Sequence, residues 1–212
     1  MKKFMALLLV AGMTLSLTAC GGSTDTAKTD QADGKDTFTV GFDQDFPPFG
    51  YVGDDGEFTG FDIEMATECA ARMGKKIVLQ PIDWDAKDME LEAGTIDCIW
   101  NGFTMNGRED QYTWTDPYMD NSQVVVVKKD SGINTLADLA GKVVEVQKES
   151  AAETALNDEE HADLMASFAQ LLSVGEYNTA FMDLESGAVD AVAIDIGVAQ
   201  FQIEGKEAVS YT

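Results

Sequence analysis

The chain has 212 residues and a formal net charge of −24, because 38 acidic side chains outnumber 14 basic ones. A surface this negative repels phosphates and anionic lipid head groups, so nucleic acids and acidic membrane surfaces are excluded as partners. A hydrophobic content of 45% excludes disorder along the whole chain. Three cysteines without zinc-ligand spacing exclude a small disulfide- or metal-stabilised fold. We therefore expect one large domain or two small ones, with no metal or cofactor.

The first residues have the pattern of an export signal. Lys2 and Lys3 precede an apolar run over residues 4–17, which is too short to span a bilayer comfortably. The stretch that ends at Ala19-Cys20 resembles a bacterial lipobox, which implies cleavage after residue 19 and a lipid on the Cys20 thiol. A plain signal peptide with an incidental cysteine is the alternative. Residues 20–36 are predicted to be a flexible tether, because residues 21–36 carry no large apolar side chain.

The next part of the chain alternates strand and helix patterns. A hairpin is predicted over residues 49–59, around the turn at 53–56. A helix is predicted over residues 61–73, with an apolar stripe every four residues at Phe61, Met65, Cys69 and Met73 and with Ala66 and Ala70 alongside. Thr59 and Asp62 have the spacing of a capping box at its start. The other elements predicted here are strands at 37–42, 76–80 and 96–100 and a helix at 87–93.

The rest of the chain continues the alternation. Residues 123–129 contain four consecutive valines at 124–127, which is typical of a strand buried on both faces. Further strands are predicted at 142–147, 171–174 and 188–194, with helices from Thr135 and at 150–157, 161–170, 176–186 and 197–203. This order predicts α/β sheets flanked by helices. Two lobes, at 37–123 and 124–212, fit the pattern better than one sheet.

Seven motifs in register then resemble the extracytoplasmic amino-acid-binding proteins of ABC importers, family 3. They run from residue 43 to residue 195 and are DQDFPPF at 43–49, GFDIEM at 60–65, GTIDC at 94–98, NGFT with Arg108 at 101–108, DPY at 116–118, DLAGKVVEVQ at 138–147 and DAVAID at 190–195. The resemblance implies the two-lobed periplasmic-binding-protein fold of type II. It also implies a monomeric, lipid-anchored protein on the outer face of the cytoplasmic membrane that delivers an amino acid to a membrane permease.

The sequence departs from the family pattern in three places. Residues 148–151 read Lys-Glu-Ser-Ala, where the family usually has a glycine before the serine or threonine. Arg108 follows Thr104 by four residues, where five is commoner. The chain also stops before the return to the first lobe that the family normally makes. We expect a C-terminally incomplete chain, with a naturally compact variant as the alternative.

The resemblance implies a pocket for a zwitterion. Arg108 would hold the carboxylate through its planar guanidinium, aided by Thr104, Ser150 and Ala151, and Asp195 would take the ammonium group. Phe46 and Trp84 would form aromatic walls. The full set of expected ligand-binding residues is Asp43, Phe46, Trp84, Asn101, Gly102, Thr104, Arg108, Gln147, Ser150, Ala151 and Asp195.

Ordinary structural roles are the alternatives for several of these residues. Arg108 could begin a solvated helix, Asp195 could cap a helix, Asp43 could cap the following turn, and Phe46 and Trp84 could be ordinary core. The functional alternatives are an exported enzyme of the same fold, resembling cyclohexadienyl dehydratases, and the sensor domain of a receptor. No catalytic residue stands out from the sequence, so we expect a binding protein. Two buried free thiols are expected at Cys69 and Cys98, with a disulfide as the alternative, and the bound amino acid is undetermined.

Overall fold

A computed structural model describes residues 35–206 and 209–211. The predicted signal peptide, Cys20 and nearly all of the predicted tether lie outside these residues. Within them the chain forms two main sheets and a small hairpin sheet. We refer to the residues before the second main sheet as the N-terminal half and to the rest as the C-terminal half.

The first main sheet is parallel and has strand β1 at its centre. β1 (Thr37–Phe42) pairs with β5 (Lys76–Pro81) on one side and β6 (Cys98–Ile99) on the other. Helices α1 (Phe61–Arg72) and α2 (Lys87–Ala93) make the crossovers that parallel pairing requires. The hairpin sheet, which was predicted only in part, consists of β2 (Asp45–Phe46), β3 (Gly50–Val52) and β4 (Phe58–Thr59).

The second main sheet has five strands, β7 (Gln123–Lys128), β8 (Val143–Gln147), β9 (Gln170–Val174), β10 (Ala191–Asp195) and β11 (Val209–Tyr211). They lie in the order β11-β7-β10-β8-β9. β8, β9 and β10 are parallel, whereas β7 and β11 run antiparallel to their neighbours, so this sheet is mixed. Its helices are α3 (Ala151–Leu156), α4 (Ala162–Ser167), α5 (Tyr177–Ser186) and α6 (Ile196–Ile203).

Both faces of the second sheet are covered, as the valine run predicted. Val126 packs into one apolar cluster with Tyr177 and Phe181 of α5, while Val125 and Val127 pack into another on the opposite face. Successive side chains of a strand point to opposite faces, so a strand covered on both sides has no polar positions in its centre. Each buried valine contributes roughly 1.5–3 kcal/mol to folding.

The buried face of α1 matches the predicted one only in part. Ala66 and Ala70, predicted alongside the stripe, are buried together with Asp62 and Ile63. Within the stripe itself, Met65 and Cys69 are half-buried, and Phe61 and Met73 are each 47% exposed. The predicted capping box is also wrong, because Gly60 is the N-cap and no side chain caps the helix. Asp62 instead accepts a hydrogen bond from the Tyr118 hydroxyl at 2.8 Å. The helix is therefore rotated by about one residue from the orientation that its apolar stripe favoured.

Gly60 explains why the chain can enter α1 in this orientation. Its φ is 127°, and a Cβ atom there would lie 2.3 Å from the carbonyl oxygen of Phe49. Phe61 and Asp62 donate backbone hydrogen bonds to Pro48 and Phe49 respectively. Only glycine permits this close approach of backbone to backbone.

Other local predictions hold to different degrees. The helix predicted from Thr135 is a short 3₁₀ helix (Leu136–Leu139), and Thr135 and Asp138 form a capping box at its start. The helix predicted at 161–170 is shorter than expected. α4 ends at Ser167, a 3₁₀ turn (Glu159–His161) precedes it, and β9 begins at residue 170.

Cys69 and Cys98 are free thiols that are half-buried. Burial raises the pKa of Cys98 to about 12.

Candidate functional site

The candidate site is a cavity between the two halves, at the carboxyl ends of strands from both main sheets. β6 leads into residues 101–104, β8 ends at Gln147, and β10 ends at Asp195. The cavity has a volume of about 20 Å³, which is room for roughly one water molecule and far below the roughly 300–1,000 Å³ typical of small-molecule sites, so it must widen to admit a ligand. Its lining is Phe46, Trp84, Asn101, Gly102, Phe103, Thr104, Arg108, Gln147, Ser150, Ala151 and Asp195. Every predicted ligand-binding residue except Asp43 therefore lies on this one cavity.

Arg108 spans the two halves. Its Nη1 donates to the Thr104 carbonyl oxygen at 3.2 Å, and its Nη2 donates to the Glu149 carbonyl oxygen at 3.1 Å and to Thr154 Oγ1 at 3.2 Å. The side chain is buried, and the guanidinium lies 5.3 Å from the centre of the Phe103 ring. The shorter spacing from Thr104 therefore does not keep Arg108 from the cavity. A guanidinium has five N–H groups, so these three hydrogen bonds leave part of it for an anionic ligand group.

Asp195 supplies the negative charge on the cavity wall. It is the last residue of β10 and is buried, and it accepts hydrogen bonds from the amides of Gln123, at 2.8 Å, and Asn121. Burial raises the pKa of Asp195, while the two amide hydrogen bonds and the charge of Arg108 oppose that rise. Asp195 is also the N-cap of α6, but its side chain does not cap that helix. Its carboxylate is therefore directed toward the cavity wall and its amide partners.

Asn121 is a site residue that sequence reasoning missed. Its side-chain amide donates to Asp195 and, at 3.1 Å, to Thr104 Oγ1. It therefore links the expected ammonium ligand to a residue that was expected to assist in holding the carboxylate. Asn121 lies just before β7, in a polar stretch without a motif, and nothing local distinguishes it from a loop residue. Phe103 was also missed, although it stands inside the motif that pointed to Gly102 and Thr104.

Asp43 lies behind the cavity wall. Its carboxylate accepts hydrogen bonds from the Gln147 side chain at 2.6 Å and from the Asp45 backbone N–H at 2.8 Å. Its own N–H donates to Asn101 Oδ1 at 2.9 Å. Burial raises the pKa of Asp43 to about 6, and these hydrogen bonds oppose the rise. In this arrangement Asp43 orients Gln147 and Asn101, which line the cavity, and does not line it itself.

Aromatic side chains form two parts of the cavity wall. Trp84 meets Phe103 edge to face with ring centres 5.1 Å apart, and its indole N–H donates to the Glu149 carbonyl oxygen at 3.2 Å. Phe46 stacks on Phe49, 5.7 Å away, and belongs to the same apolar cluster as Tyr177. Phe46 and Trp84 are therefore both buried core residues and cavity residues, so the two interpretations of them are compatible.

The loop after β8 brings the C-terminal half to the cavity. Ser150 is the N-cap of α3 and accepts a hydrogen bond from the Glu153 N–H at 3.1 Å. Glu149, at the position where the family usually has glycine, has a φ of 59°. The backbone therefore keeps the left-handed conformation that glycine favours, although the residue is a glutamate. The departure from the family pattern does not move Ser150 and Ala151 away from the cavity.

The described residues contain neither a metal-binding cluster nor a membrane-spanning helix. Within 35–206 and 209–211, no group of three or more His, Cys, Asp or Glu side chains is placed to hold a metal ion. The helices of this same part of the chain are all too short or too polar to cross a membrane.

The fold and the cavity define an α/β binding protein with its ligand site between two sheets. A family model confirms this class: residues 38–181 match the bacterial extracellular solute-binding proteins of family 3, and the chain belongs to that family. The fold prediction is confirmed as well. The family's pattern of two α/β sheets is found in solved structures that align along more than four-fifths of this chain.

Individual relatives are binding proteins for amino acids. The chain is 36% identical to the arginine-binding extracellular protein ArtP of Bacillus subtilis over 69% of its own length and 56% of ArtP. It is 31% identical to the L-cystine-binding protein TcyJ of Escherichia coli, over 90% of its length and 69% of TcyJ. It thus spans little more than half of the first relative and about two thirds of the second.

Two solved structures are similar in fold. A substrate-binding protein of an ABC uptake transporter from Streptococcus pneumoniae, with bound histidine, has a TM-score of 0.78 and 34% identity, over 83% of this chain and 74% of that one. An ancestral arginine-binding protein bound to arginine has a TM-score of 0.76 and 35% identity, over 84% and 79%.

Proposed function

We propose that the protein captures an amino acid in the cavity between its two halves and delivers it to the membrane permease of an ABC importer. The observation that carries the proposal is the placement of Arg108 and Asp195 on one cavity. A free amino acid is a zwitterion, so one buried cation and one buried anion satisfy its two charged groups. Arginine, cystine and histidine, the ligands named for the relatives, all have these groups.

The ligand would be held by contributions from both halves. Arg108 takes the carboxylate, assisted by Thr104 and by the backbone at Ser150–Ala151. Asp195 takes the ammonium group, and Trp84, Phe46 and Phe103 pack on the side chain. A ligand that joins Arg108 to Asp195 would favour closure of the halves about a hinge, and the closed form would be presented to the permease.

A binding function is favoured over an enzymatic one by the cavity lining. Among the described residues that line it, Arg108 and Asp195 are the ionisable side chains, and both are needed to hold the charged groups of the ligand. Asp43, whose pKa is raised to about 6, lies behind Gln147 and is held by two hydrogen bonds. A general acid or base must reach the reacting atom directly or through one water.

The proposed cellular setting follows from the first 36 residues. Residues 1–19 would be removed as a signal peptide, lipid on Cys20 would hold the protein at the outer face of the membrane, and residues 20–36 would serve as a tether. The two lobes, 37–123 and 124–212, would then act as a monomer at the permease. The names of the relatives describe amino-acid-binding and extracellular proteins, which supports an exported location.

A thermal-shift panel of the twenty amino acids and cystine tests the proposal. A ligand that binds the folded protein raises its melting temperature with increasing concentration. We expect at least one strong shift, which isothermal titration calorimetry should confirm as one site per chain. After incubation the ligand should be recovered unchanged, whereas an enzyme would release product. No shift with any amino acid would overturn the proposal.

A further inference from the structure

The turn at residues 148–149, between β8 and α3, makes a set of polar contacts with the segment 84–87 of the N-terminal half. Lys148 Nζ lies 2.7 Å from Asp85 Oδ2, and Lys87 Nζ lies 2.9 Å from Glu149 Oε2. The Trp84 indole N–H also donates to the Glu149 carbonyl oxygen at 3.2 Å. We call these contacts the cross-cleft latch. Each ion pair joins a lysine of one half to a carboxylate of the other, so the turn and the segment are complementary in charge.

Glu149 is held in a conformation that glutamate does not prefer. Its φ of 59° lies in the left-handed region, where glycine has no steric penalty and a side chain with a Cβ does. Backbone strain of this kind persists where surrounding contacts impose it, and it concentrates at functional sites. Here the contacts are the ion pair of the carboxylate with Lys87 and the hydrogen bonds that the carbonyl accepts from Trp84 and Arg108.

Lys87 shows that the latch is more than a surface ion pair. Its side chain is only 3% exposed, and the ammonium group lies 5.3 Å from the centre of the Trp84 ring. A lysine is rarely buried to this extent unless it is paired. Its ion-pair partner, Glu149, comes from the other half of the molecule. Separation of the halves would therefore break the pair and return Lys87 to solvent.

The latch also touches the ligand cavity directly. The Glu149 carbonyl oxygen accepts hydrogen bonds from Arg108, the proposed carboxylate ligand, and from Trp84, an aromatic wall. One residue of the C-terminal half thus fixes two cavity side chains of the N-terminal half. Contacts that form only when the halves are together stabilise that arrangement, and they oppose the separation that ligand release requires.

We propose that Glu149 is a positioning residue, which, together with Lys148, holds the two halves closed over the ligand and orients Arg108 and Trp84. The proposal rests on the proposed amino-acid-binding function for the step of ligand release. It predicts that the latch controls the rate of dissociation, and that the association rate depends on it much less.

Glu149→Gly is the central test because glycine adopts the same backbone conformation without strain. The variant removes the ion pair with Lys87 and keeps the carbonyl, and the relief of backbone strain at residue 149 offsets part of the cost of leaving Lys87 unpaired, so the fold should be preserved. We expect ligand dissociation, followed by stopped-flow tryptophan fluorescence, to be about tenfold faster or more, since a hydrogen-bonded charged pair is lost. We also expect a larger radius of gyration in small-angle X-ray scattering of the protein without added ligand. Glu185→Ala is the control, since it removes the exposed pair of Glu185 with Lys206 within the C-terminal half without weakening helix α5.

Charge reversal tests the second ion pair. Asp85→Lys and Lys148→Asp should each accelerate dissociation by a few-fold, because this pair is more exposed. The double variant should restore the wild-type rate, which a purely structural role of either residue does not predict.

The outcomes separate the latch from the proposed function. If no amino acid binds the wild type, the proposed function fails, while the scattering of Glu149→Gly still tests the latch. If the wild type binds and Glu149→Gly leaves both the dissociation rate and the radius of gyration unchanged, the latch is overturned. A loss of melting temperature in Glu149→Gly without faster dissociation would also overturn it, because it would assign Glu149 to stability alone.

Discussion

Replacement of Arg108 perturbs the proposed site most directly. Arg108 is 7% exposed as a residue, and its guanidinium contacts both halves through three hydrogen bonds and is the positively charged group of the described cavity lining. Loss of one partner from a desolvated charged pair costs about 2–5 kcal/mol. Arg108→Ala should therefore weaken amino acid binding by roughly 30-fold to several thousand-fold. Arg108→Lys keeps the charge but not the planar fork, so its loss should be smaller.

The assay is isothermal titration calorimetry with the amino acid that gives the largest thermal shift. Circular dichroism melting curves should accompany it, because Arg108→Ala also removes the hydrogen bonds to Thr104, Glu149 and Thr154. Arg72→Ala is the matched control, since Arg72 is the other arginine of the chain and its side chain is 77% exposed on α1. This control should bind with wild-type affinity.

If Arg108→Ala is folded by its melting curve and binds within a factor of three of the wild type, Arg108 does not hold the carboxylate. A loss of binding in Arg108→Lys as large as in Arg108→Ala would show instead that the hydrogen-bond geometry of the fork matters more than its charge.

Three further predictions concern stability and location. Burial raises the pKa of Asp62 from 3.8 to about 6, so the folded state binds more protons and stability falls as pH rises from about 4 to 6. Asp62→Asn can still accept a hydrogen bond from Tyr118 but has no carboxyl group to titrate. Its free energy of unfolding, measured with denaturant, should therefore rise relative to that of the wild type by up to about 3 kcal/mol over that pH interval. A pH-independent difference would contradict this. Ser150→Ala should lose about 1 kcal/mol in the same assay, because it removes the cap of α3, and an unchanged unfolding midpoint would show that the cap is not needed. Cys20→Ser should release the protein from membranes in a fractionation experiment, and unchanged partition and mature mass would rule out the lipid anchor.

The local patterns of the sequence were sufficient for most elements. The valine run at 124–127 indicated a strand covered on both faces, and Thr135 indicated the start of a short helix. Both predictions depend on interactions within a few residues, or on burial that the hydrophobic pattern itself encodes. The motifs at 43–49, 101–108, 138–147 and 190–195 likewise contain most of the cavity lining, because they lie at or just after the carboxyl ends of strands, where the topology brings side chains together.

Only the tertiary structure decided which face of α1 is buried. An α-helix advances about 100° per residue, so a shift of one residue along the sequence turns a different stripe toward the sheet. The alanines at 66 and 70 pack closely, and Asp62 is buried because Tyr118, far along the chain, donates to it. An apolar pattern cannot predict a buried carboxylate whose partner is distant.

The same reason applies to the residues that link the two halves. Asn121 joins Thr104 to Asp195, Asp43 orients Gln147 from behind the wall, and Glu149 meets Lys87 and Arg108. Most of these partners are separated by dozens of residues, so no local spacing records them. The sequence by itself determined the strands, helices and motif residues of each half. How the two halves meet is set by long-range hydrogen bonds and ion pairs, which exist only when the chain is folded.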